Sequence, residues 1–229
     1  MDWYISLLQS LSDGIFSTLI KENRFTLLLD GLAVSLQLTL FAALIGLVVG
    51  LFVAVARIKR IPVLSAIADL YVTIIRGTPV IVQLIIIYFV IIKSIFPVMV
   101  TAMISFGINS GAYVSEIIRA GIMAVDKGQL EASRSLGLSY GQSMFKVIVP
   151  QAIKNILPAL GNEFIVLLKE TSVAGYIALD DLTRAAMKIR NITYDPKTPL
   201  FMVAYLYLLM TIGLTKLLDG FERRLREGD

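Results

Sequence analysis

The chain has 229 residues, of which 57% are hydrophobic, and its mean hydropathy is +0.80. A soluble domain is about 45–50% apolar, so this excess indicates a membrane protein or an unusually apolar interior. The sequence contains no Cys and no His, which excludes disulfides, thiolate chemistry, His-ligated metal sites and imidazole catalysis. The net charge is only +4, and the basic residues cluster at the ends of apolar segments. That distribution is typical of membrane topology and not of nucleic-acid binding.

The N-terminal region leads into a first membrane span. Residues 3–20 mix apolar and polar side chains, so they predict either an amphipathic segment on the membrane surface or a poorly ordered terminus. No basic segment follows Met1, and we therefore expect no cleaved signal peptide. Leu32 to Ala56 contains 25 residues without a formal charge, where about 20 suffice to cross a bilayer. The basic cluster that follows, from Arg57 to Arg60, marks a cytoplasmic end.

The second membrane region, Pro62 to Ile92, is too long for one straight span. As a single helix it would extend about 46 Å, against a hydrocarbon core of about 30 Å. It contains Arg76 and a Gly77–Pro79 pair, and Pro79 disfavours helical geometry at Thr78. We therefore predict a helix broken near Gly77. The break either borders a translocation path or is a packed kink, because freed backbone groups at membrane depth need water or protein around them.

The third predicted span, Pro97 to Ala124, has a polar second half. Polar side chains within a span generally face the bundle interior or a water-filled cavity, so they are candidates for substrate binding. Glu116 and Arg119 lie three residues apart and can pair along one helix face. The substrate-binding candidates from this span are Asn109, Ser110, Tyr113 and Glu116.

Small residues recur four positions apart in two of these spans. Gly46 and Gly50 lie in the first span, and Gly107 and Gly111 lie in the third. Such pairs allow the backbones of two helices to approach closely, although the spacing also occurs by chance.

A polar stretch from Gly128 to Gln151 interrupts the apolar runs. Asp126 or Gly128 can begin a short helix, and Gly137 suits the left-handed residue that ends it. Ser139 and Gln142 have capping-box spacing and predict a second helix, which Pro150 should kink or end. This helix pair either docks into a groove of a partner or is a solvated loop.

The fourth predicted span, Ile153 to Leu168, carries Glu163 near its middle. A carboxylate in hydrocarbon costs at least about 2.5 kcal/mol on insertion scales, so it needs a compensating partner. One alternative is an ion pair with Arg76 or Lys169. The other is a pore-lining carboxylate that binds a cationic substrate, with Asn162 adding a neutral hydrogen-bonding group.

Three segments complete the chain. Residues 169–182 are polar and small, and form either an external gate or an outer loop. Arg184 to Pro199 is predicted to be a charged connection with two prolines, and Leu200 to Leu218 the fifth span.

The fold class is thus all-α, one integral membrane bundle over residues 1–229 with about five transmembrane helices. With the ends of spans one, three and five inside, 12 Lys and Arg lie inside and 7 outside. This excess predicts an outside N-terminus and a cytoplasmic C-terminus.

Three motifs together resemble one family. Glu131-Ala132-Ser133, followed by Gly137 and then Ile148-Val149-Pro150-Gln151, resembles the "EAA" loop of ABC-importer permeases, with Ser133 replacing the usual second Ala. Arg76-Gly77-Thr78-Pro79, followed by Val82-Gln83-Leu84, precedes it. Gly161-Asn162-Glu163 and Leu168-Lys169-Glu170-Thr171-Ser172 follow it. Together they are similar to the polar-amino-acid uptake branch, which includes permeases for histidine, glutamine and arginine.

The resemblance implies a type I ABC importer fold and a set of partners. Residues from about 128 to 137 would form the coupling helix, which docks into a separate ATPase subunit. A second permease, identical or related, and an extracellular solute-binding protein would complete the transporter in the cell inner membrane. This chain has no phosphate-binding Gly-rich loop, so the ATPase would bind ATP and Mg²⁺, and no cofactor is expected here. The coupling residues would be Leu130, Glu131, Ala132, Ser133, Leu136 and Gly137.

Glu163 decides the predicted substrate. A carboxylate in the pathway favours a cationic amino acid such as arginine, lysine or histidine, with glutamine as the alternative. A passive channel or ion-coupled carrier is the alternative of another class, since Glu163, Lys169 and Glu170 could also serve a proton or cation path.

Overall fold

The computed structural model describes residues 14–92 and 95–226, with side chains to residue 224. Within these ranges the chain is 87% helical and contains no strand. The surface segment predicted at residues 3–20 lies mostly outside the described residues. π-Helical turns occur at Ile15–Ile20, Ile87–Ile92 and Met144–Ile148, and a 3-10 helix at Thr171–Ile177. The α-helices are α1 (Phe25–Ile58), α2 (Pro62–Arg76), α3 (Val80–Ile86), α4 (Val98–Met123), α5 (Lys127–Ser135), α6 (Tyr140–Ser143), α7 (Val149–Glu170), α8 (Leu182–Thr193) and α9 (Thr198–Arg226).

Length and apolar content identify the membrane-crossing helices among the described residues. The helices α1, α4 and α9 are each long and apolar enough to span a bilayer. The helices α2 and α3, with the π-helical turn that follows, are long and apolar enough to span a bilayer only when they are taken together. Their axes bend by 109° at the break. The 22-residue helix α7, which contains the fourth predicted span, is long enough to cross a bilayer but is too polar to count as a spanning helix by composition. It is therefore the least apolar of the predicted spans.

The two glycine pairs of the sequence lie opposite each other where α1 packs on α4. A Cβ built on Gly50 would lie 2.5 Å from Val114 Cγ1, and one on Gly107 would lie 2.5 Å from Ile45 Cγ2. A Cβ on Gly46 would lie 2.9 Å from Ser110 Cβ, and one on Gly111 would lie 2.8 Å from Val49 Cγ1. The prediction that these pairs seat another helix is therefore confirmed, and α4 forms the buried centre of the bundle.

The predicted break near Gly77 is confirmed, and the buried side chain of Gln83 bridges it, while the residues of the break itself, 76–79, are exposed. The Gln83 amide nitrogen donates to the carbonyl oxygens of Ile75, at 2.7 Å, and Thr78, at 3.0 Å. The Thr78 hydroxyl donates back to Ile74 O at 2.9 Å. The buried amide of Gln83 thus satisfies carbonyls that the interrupted helix leaves free, as membrane depth requires.

The polar stretch forms two helices with a sharp joint, as predicted. The Asp126 carboxylate caps α5 by accepting from Gly128 N, and Gly137 has φ +87°. Leu138 N donates to Ser133 O at 3.2 Å, which closes the Schellman turn around Gly137. Ser139 and Gln142 make the reciprocal capping box that begins α6. Pro150 does not end the second helix. A π-helical turn precedes it, and α7 begins at Val149 and continues through Pro150.

The charged connection predicted from Arg184 to Pro199 is wrong, because Leu182–Thr193 forms the helix α8. Asp181 caps this helix by accepting from Thr183 N and Arg184 N. Its apolar face packs on α1 and α9 with spacing i, i+3, i+4 and i+7, a helical period that the surrounding charges masked. The residues of that face are Leu182, Ala185, Ala186 and Ile189.

One hydrogen bond ties α8 to the 3-10 helix Thr171–Ile177, and two ion pairs tie α8 to the turn between them. Arg184 donates to Gly175 O at 2.8 Å and pairs with Asp180 at 2.9 Å, and Lys188 pairs with Asp180 at 2.7 Å. The Lys188 hydrogen bond and the nearby Arg184 hold the pKa of Asp180 below its usual value. This polar segment is therefore packed into the bundle, and its predicted role as a gate stays a prediction.

Candidate functional site

Glu163 lies on α7 beside a small cavity between α1, α4 and α7. The cavity measures about 210 Å³, and its other walls are mainly apolar, including Leu44 and Phe164. The Ser110 hydroxyl donates to Glu163 Oε1 at 3.0 Å. No Lys or Arg of the described residues forms an ion pair with Glu163, so the predicted alternative of a pair with Arg76 or Lys169 is not formed. The site is a carboxylate that lacks a counter-cation.

Asn109 and Asn162, two other substrate-binding candidates, do not join this cavity. Asn109 is buried and its amide nitrogen donates to Gln83 Oε1 at 2.9 Å, while its own carbonyl oxygen has no donor. Its hydrogen bond is therefore to the side chain that bridges the break between α2 and α3. Asn162 lies next to Glu163 in sequence but is exposed on another face of α7.

Asn162 belongs to a polar stripe along α7 that the sequence analysis missed. Residues four and seven positions apart lie on nearly the same face of a helix, and four exposed polar residues of α7 have that spacing. Polar residues on an open face of a membrane helix indicate contact with water or with another subunit. The spacing could have revealed the stripe without a structure. Its residues are Gln151, Asn155, Asn162 and Lys169.

Glu116 is held in an ion-pair network at the end of α4 that leads to α5. The predicted pair with Arg119 is confirmed, with Arg119 Nη2 2.8 Å from Glu116 Oε2. Arg57, in the last turn of α1, donates to the other carboxylate oxygen of Glu116 and also pairs with Asp69 at 2.6 Å. The network thus joins α1, α2 and α4, and the role of Glu116 in substrate binding stays a prediction.

Tyr113 contacts Arg76, which ends α2 at the break. The Arg76 guanidinium carbon lies 5.4 Å from the centroid of the Tyr113 ring, within the range of a cation–π contact. Tyr113 is half-buried and Arg76 is exposed. Tyr113 and Ser110 are three residues apart on α4, so the contacts of Arg76 and of Glu163 fall on neighbouring positions of one helix.

The predicted coupling residues form an exposed surface on α5 and the joint. Ser133 is buried and Leu130 is half-buried, and these two anchor the helix against the bundle. Leu136 is 85% exposed, and Phe145, which follows α6, is 78% exposed. Large apolar side chains on a polar surface are typical of a docking site. The exposed predicted coupling residues are Glu131, Ala132, Leu136 and Gly137.

The family model described as "Binding-protein-dependent transport system inner membrane component" matches residues 24–227. The chain belongs to this family of ABC-importer permeases. Among curated relatives, it is 39% identical to the arginine transport system permease ArtQ of Bacillus subtilis, covering 93% of this chain and 98% of that protein. It is 38% identical to a putative glutamine transport system permease, GlnP of Rickettsia felis, covering 92% and 99%.

Solved structures of amino-acid ABC transporters share the fold of this permease. A crystal structure of an amino acid ABC transporter with histidines matches with a TM-score of 0.86 and 46% identity, over 91% of this chain and 98% of that one. The MetNI methionine transporter matches with a TM-score of 0.78 at 22% identity, which supports the fold alone. The chain is therefore a membrane permease subunit of an amino-acid ABC importer with the type I fold, and its family transports solutes.

Proposed function

We propose that this permease forms the translocation pathway for cationic amino acids, with arginine, lysine and histidine as its substrates. The observation that carries the proposal is the carboxylate of Glu163, which faces a cavity whose described lining residues include a hydroxyl donor but no Lys or Arg. A carboxylate at membrane depth is costly without a positive partner, and a cationic substrate would supply one. The relative named for arginine and the structure with histidines are consistent with this class.

The same proposal assigns a partner to the α5 surface. We place α5 and the joint at Gly137, residues 128–137, in a groove of a separate ATPase subunit that binds ATP and Mg²⁺. Closure of two ATPase subunits would move the two permeases and switch the side that Glu163 faces, since ATP binds the two states with different affinity. A solute-binding protein would deliver the substrate from outside. The N-terminus would lie outside and the C-terminus in the cytoplasm, which puts α5 on the ATPase side.

Glu163→Gln tests the substrate class. We expect the purified complex of this chain with its ATPase to bind arginine, and the variant to bind it about 10- to 100-fold more weakly, because a charge-assisted contact is lost. Glutamine affinity should change little, since the substituted side chain keeps its shape. The measurement is a titration with arginine, lysine, histidine, glutamine and glutamate, without the solute-binding protein.

A matched control is Glu22→Gln, because Glu22 is an exposed carboxylate that pairs with Arg24 outside the spans. This control should leave every affinity unchanged. If the unaltered complex binds glutamine in preference to the cationic amino acids, the substrate is glutamine, the amino acid for which the Rickettsia relative is named. Uptake into vesicles that contain this chain alone, without an ATPase, would instead indicate a passive channel or carrier.

Gly137→Val tests the coupling surface. A β-branched residue at φ +87° is strained by roughly 1–2 kcal/mol, although a Cβ there would meet no neighbouring atom within 4 Å. The joint should therefore shift without a clash, and we expect ATP hydrolysis to continue while transport falls at least about tenfold. The measurement is the ratio of ATP hydrolysed to amino acid imported in proteoliposomes.

Two other variants separate strain from bulk at this joint. Gly141→Val adds the same side chain in open space without the positive φ, and should keep a normal ratio. Gly137→Asn should retain most of the coupling between ATP hydrolysis and transport, because asparagine tolerates the left-handed conformation. A normal ratio for Gly137→Val would contradict the docking that we assign to α5.

A further inference from the structure

The Arg57 guanidinium, in the last turn of α1, contacts carboxylates of two other helices. Its Nε lies 2.6 Å from Oδ1 of Asp69 on α2, and its Nη1 donates to Oε1 of Glu116 on α4. The Arg57 side chain is only 16% exposed, although it lies at the end of the bundle. Among the described residues, no other ion pair joins α1 to α4, the two helices that pack through their glycines.

Glu116 begins a row of contacting side chains that runs to the end of α4. Residues three, four and seven positions apart lie on one face of a helix. Arg119 Nη2 pairs with Glu116 at 2.8 Å, and Arg119 Nη1 donates to the Met123 sulfur at 2.9 Å. Met123 is the last residue of α4, and α5 begins four residues later, at Lys127. The row therefore connects the Arg57 contact to the point from which α5 projects.

The end of α4 is held from two sides. On one side, Gly121 faces α7 so closely that a Cβ would collide with Ile156. On the other side, Arg57 of α1 holds Glu116. The last turn of a helix has carbonyl groups without helical partners and frays most easily. A force applied to α5 would therefore bend this end of α4 unless both sides hold it.

We propose that Arg57 is a positioning residue for the coupling of ATP hydrolysis to transport. Through Glu116 and Arg119 it fixes the end of α4, so that a movement of α5 is passed to α4 and α1 together and is not lost in bending the helix end. This inference rests on the proposed function, in which α5 docks into the ATPase subunit. It adds the path by which the movement enters the bundle.

Arg57→Gln removes this contact without leaving a buried charge unpaired. Glu116 keeps Arg119 as its partner, and the released Asp69 is 59% exposed, so water solvates it. The variant should therefore fold, and a loss of coupling can be measured separately from a loss of stability.

The test measures the ATP hydrolysed per amino acid imported in proteoliposomes that contain this chain with its ATPase and are supplied with the solute-binding protein. We expect Arg57→Gln to raise this ratio about three- to tenfold, because a half-buried ion pair contributes more than an exposed pair and less than a buried one. The imported amino acid is arginine, or glutamine if the unaltered complex imports that instead. Its affinity for the purified complex should not change, since Arg57 does not line the Glu163 cavity.

Two variants make this result specific. Arg24→Gln removes an arginine at the opposite end of α1, which is 14% exposed and paired with Glu22, and should keep a normal ratio. Arg57→Lys keeps the positive charge, but an ammonium group lacks the planar fork that reaches two carboxylates. Its ratio should lie between those of the unaltered chain and Arg57→Gln. Size-exclusion chromatography of each variant, before and after heating, establishes whether the complex is intact and how stable it is.

Three outcomes would overturn the assignment. A normal ratio for Arg57→Gln would mean that coupling does not depend on this contact. An equal rise for Arg24→Gln would mean that any lost ion pair of α1 has the same effect. Weaker amino-acid binding by Arg57→Gln with a normal ratio would assign the contact to the substrate.

Arg57→Lys keeps the proposal testable if Arg57→Gln does not assemble with the ATPase, because a normal ratio for Arg57→Lys would then overturn it. Failure of the proposed function is a different result. In that case the unaltered complex would show no ATP-dependent import, or Gly137→Val would keep a normal ratio.

Discussion

Gly50→Leu is expected to destabilise the bundle by about 3 kcal/mol, the upper range for inserting a large side chain into a packed interface. The Cβ of the substituted residue would lie 2.5 Å from Val114 Cγ1 and 2.9 Å from the carbonyl oxygen of Gly111. The valine can rotate, but the backbone carbonyl of α4 cannot move without the whole helix. α1 and α4 would therefore separate, and Asn109 and Ser110, which α4 carries, would move with them. The measurement is the temperature at which the purified protein loses its monodisperse peak in detergent.

Gly213→Leu is the matched control for that prediction. Gly213 lies within α9, another apolar helix long enough to span the membrane, and a Cβ there would meet no atom within 4 Å. Leucine also has a higher helix propensity than glycine, by roughly 0.8–1.0 kcal/mol. This variant should be as stable as the original or more so. Equal stability of the two variants would mean that α1 and α4 do not pack through their glycines.

Local chemistry explains most of what the sequence predicted correctly. The first span, the break at Gly77, the turn at Gly137 and the capping box at Ser139 each depend on residues close in the chain. A glycine followed by a capping serine leaves few backbone conformations available, so the joint could be placed to within a residue or two. The helix α8 was missed for the converse reason. Its apolar face is short, and only packing against α1 and α9 distinguishes it from a charged loop.

The partners of buried polar groups could not be predicted in the same way. Glu163 was recognisable as unusual because a carboxylate in a span is costly, but its contact with Ser110 joins positions 53 residues apart. Likewise, Gln83 bonds Asn109 across 26 residues, and Arg57 bonds Glu116 across 59. Such pairs depend on how helices cross, which a hydrophobic pattern does not specify. The sequence thus predicted that Asn109 is a polar residue facing the bundle interior, but only the structure shows that it does not line the Glu163 cavity.

Glu116→Met is expected to cost about 2 kcal/mol of stability, between the cost of losing a surface ion pair and that of breaking a fully buried one, because the pair is half-buried. The side chains of Glu116 and Arg57 are only 19% and 16% exposed, and Arg119 is 34% exposed. Removing the carboxylate leaves Arg119 without its ion-pair partner and leaves Arg57 with only the exposed carboxylate of Asp69, where α1, α2 and α4 meet. The same detergent assay should show early loss of the folded peak, at a pH where all three groups are charged.

Asp69→Asn separates this network from an ordinary surface pair. Asp69 contacts the same arginine but is 59% exposed, so its loss should cost at most about 1 kcal/mol. The double variant Arg57→Met with Glu116→Met should be more stable than Glu116→Met alone, because it removes both members of the half-buried pair. A stable Glu116→Met chain that binds arginine more weakly would contradict the structural role. It would assign Glu116 to the substrate, as its place among the polar residues of the third span predicts.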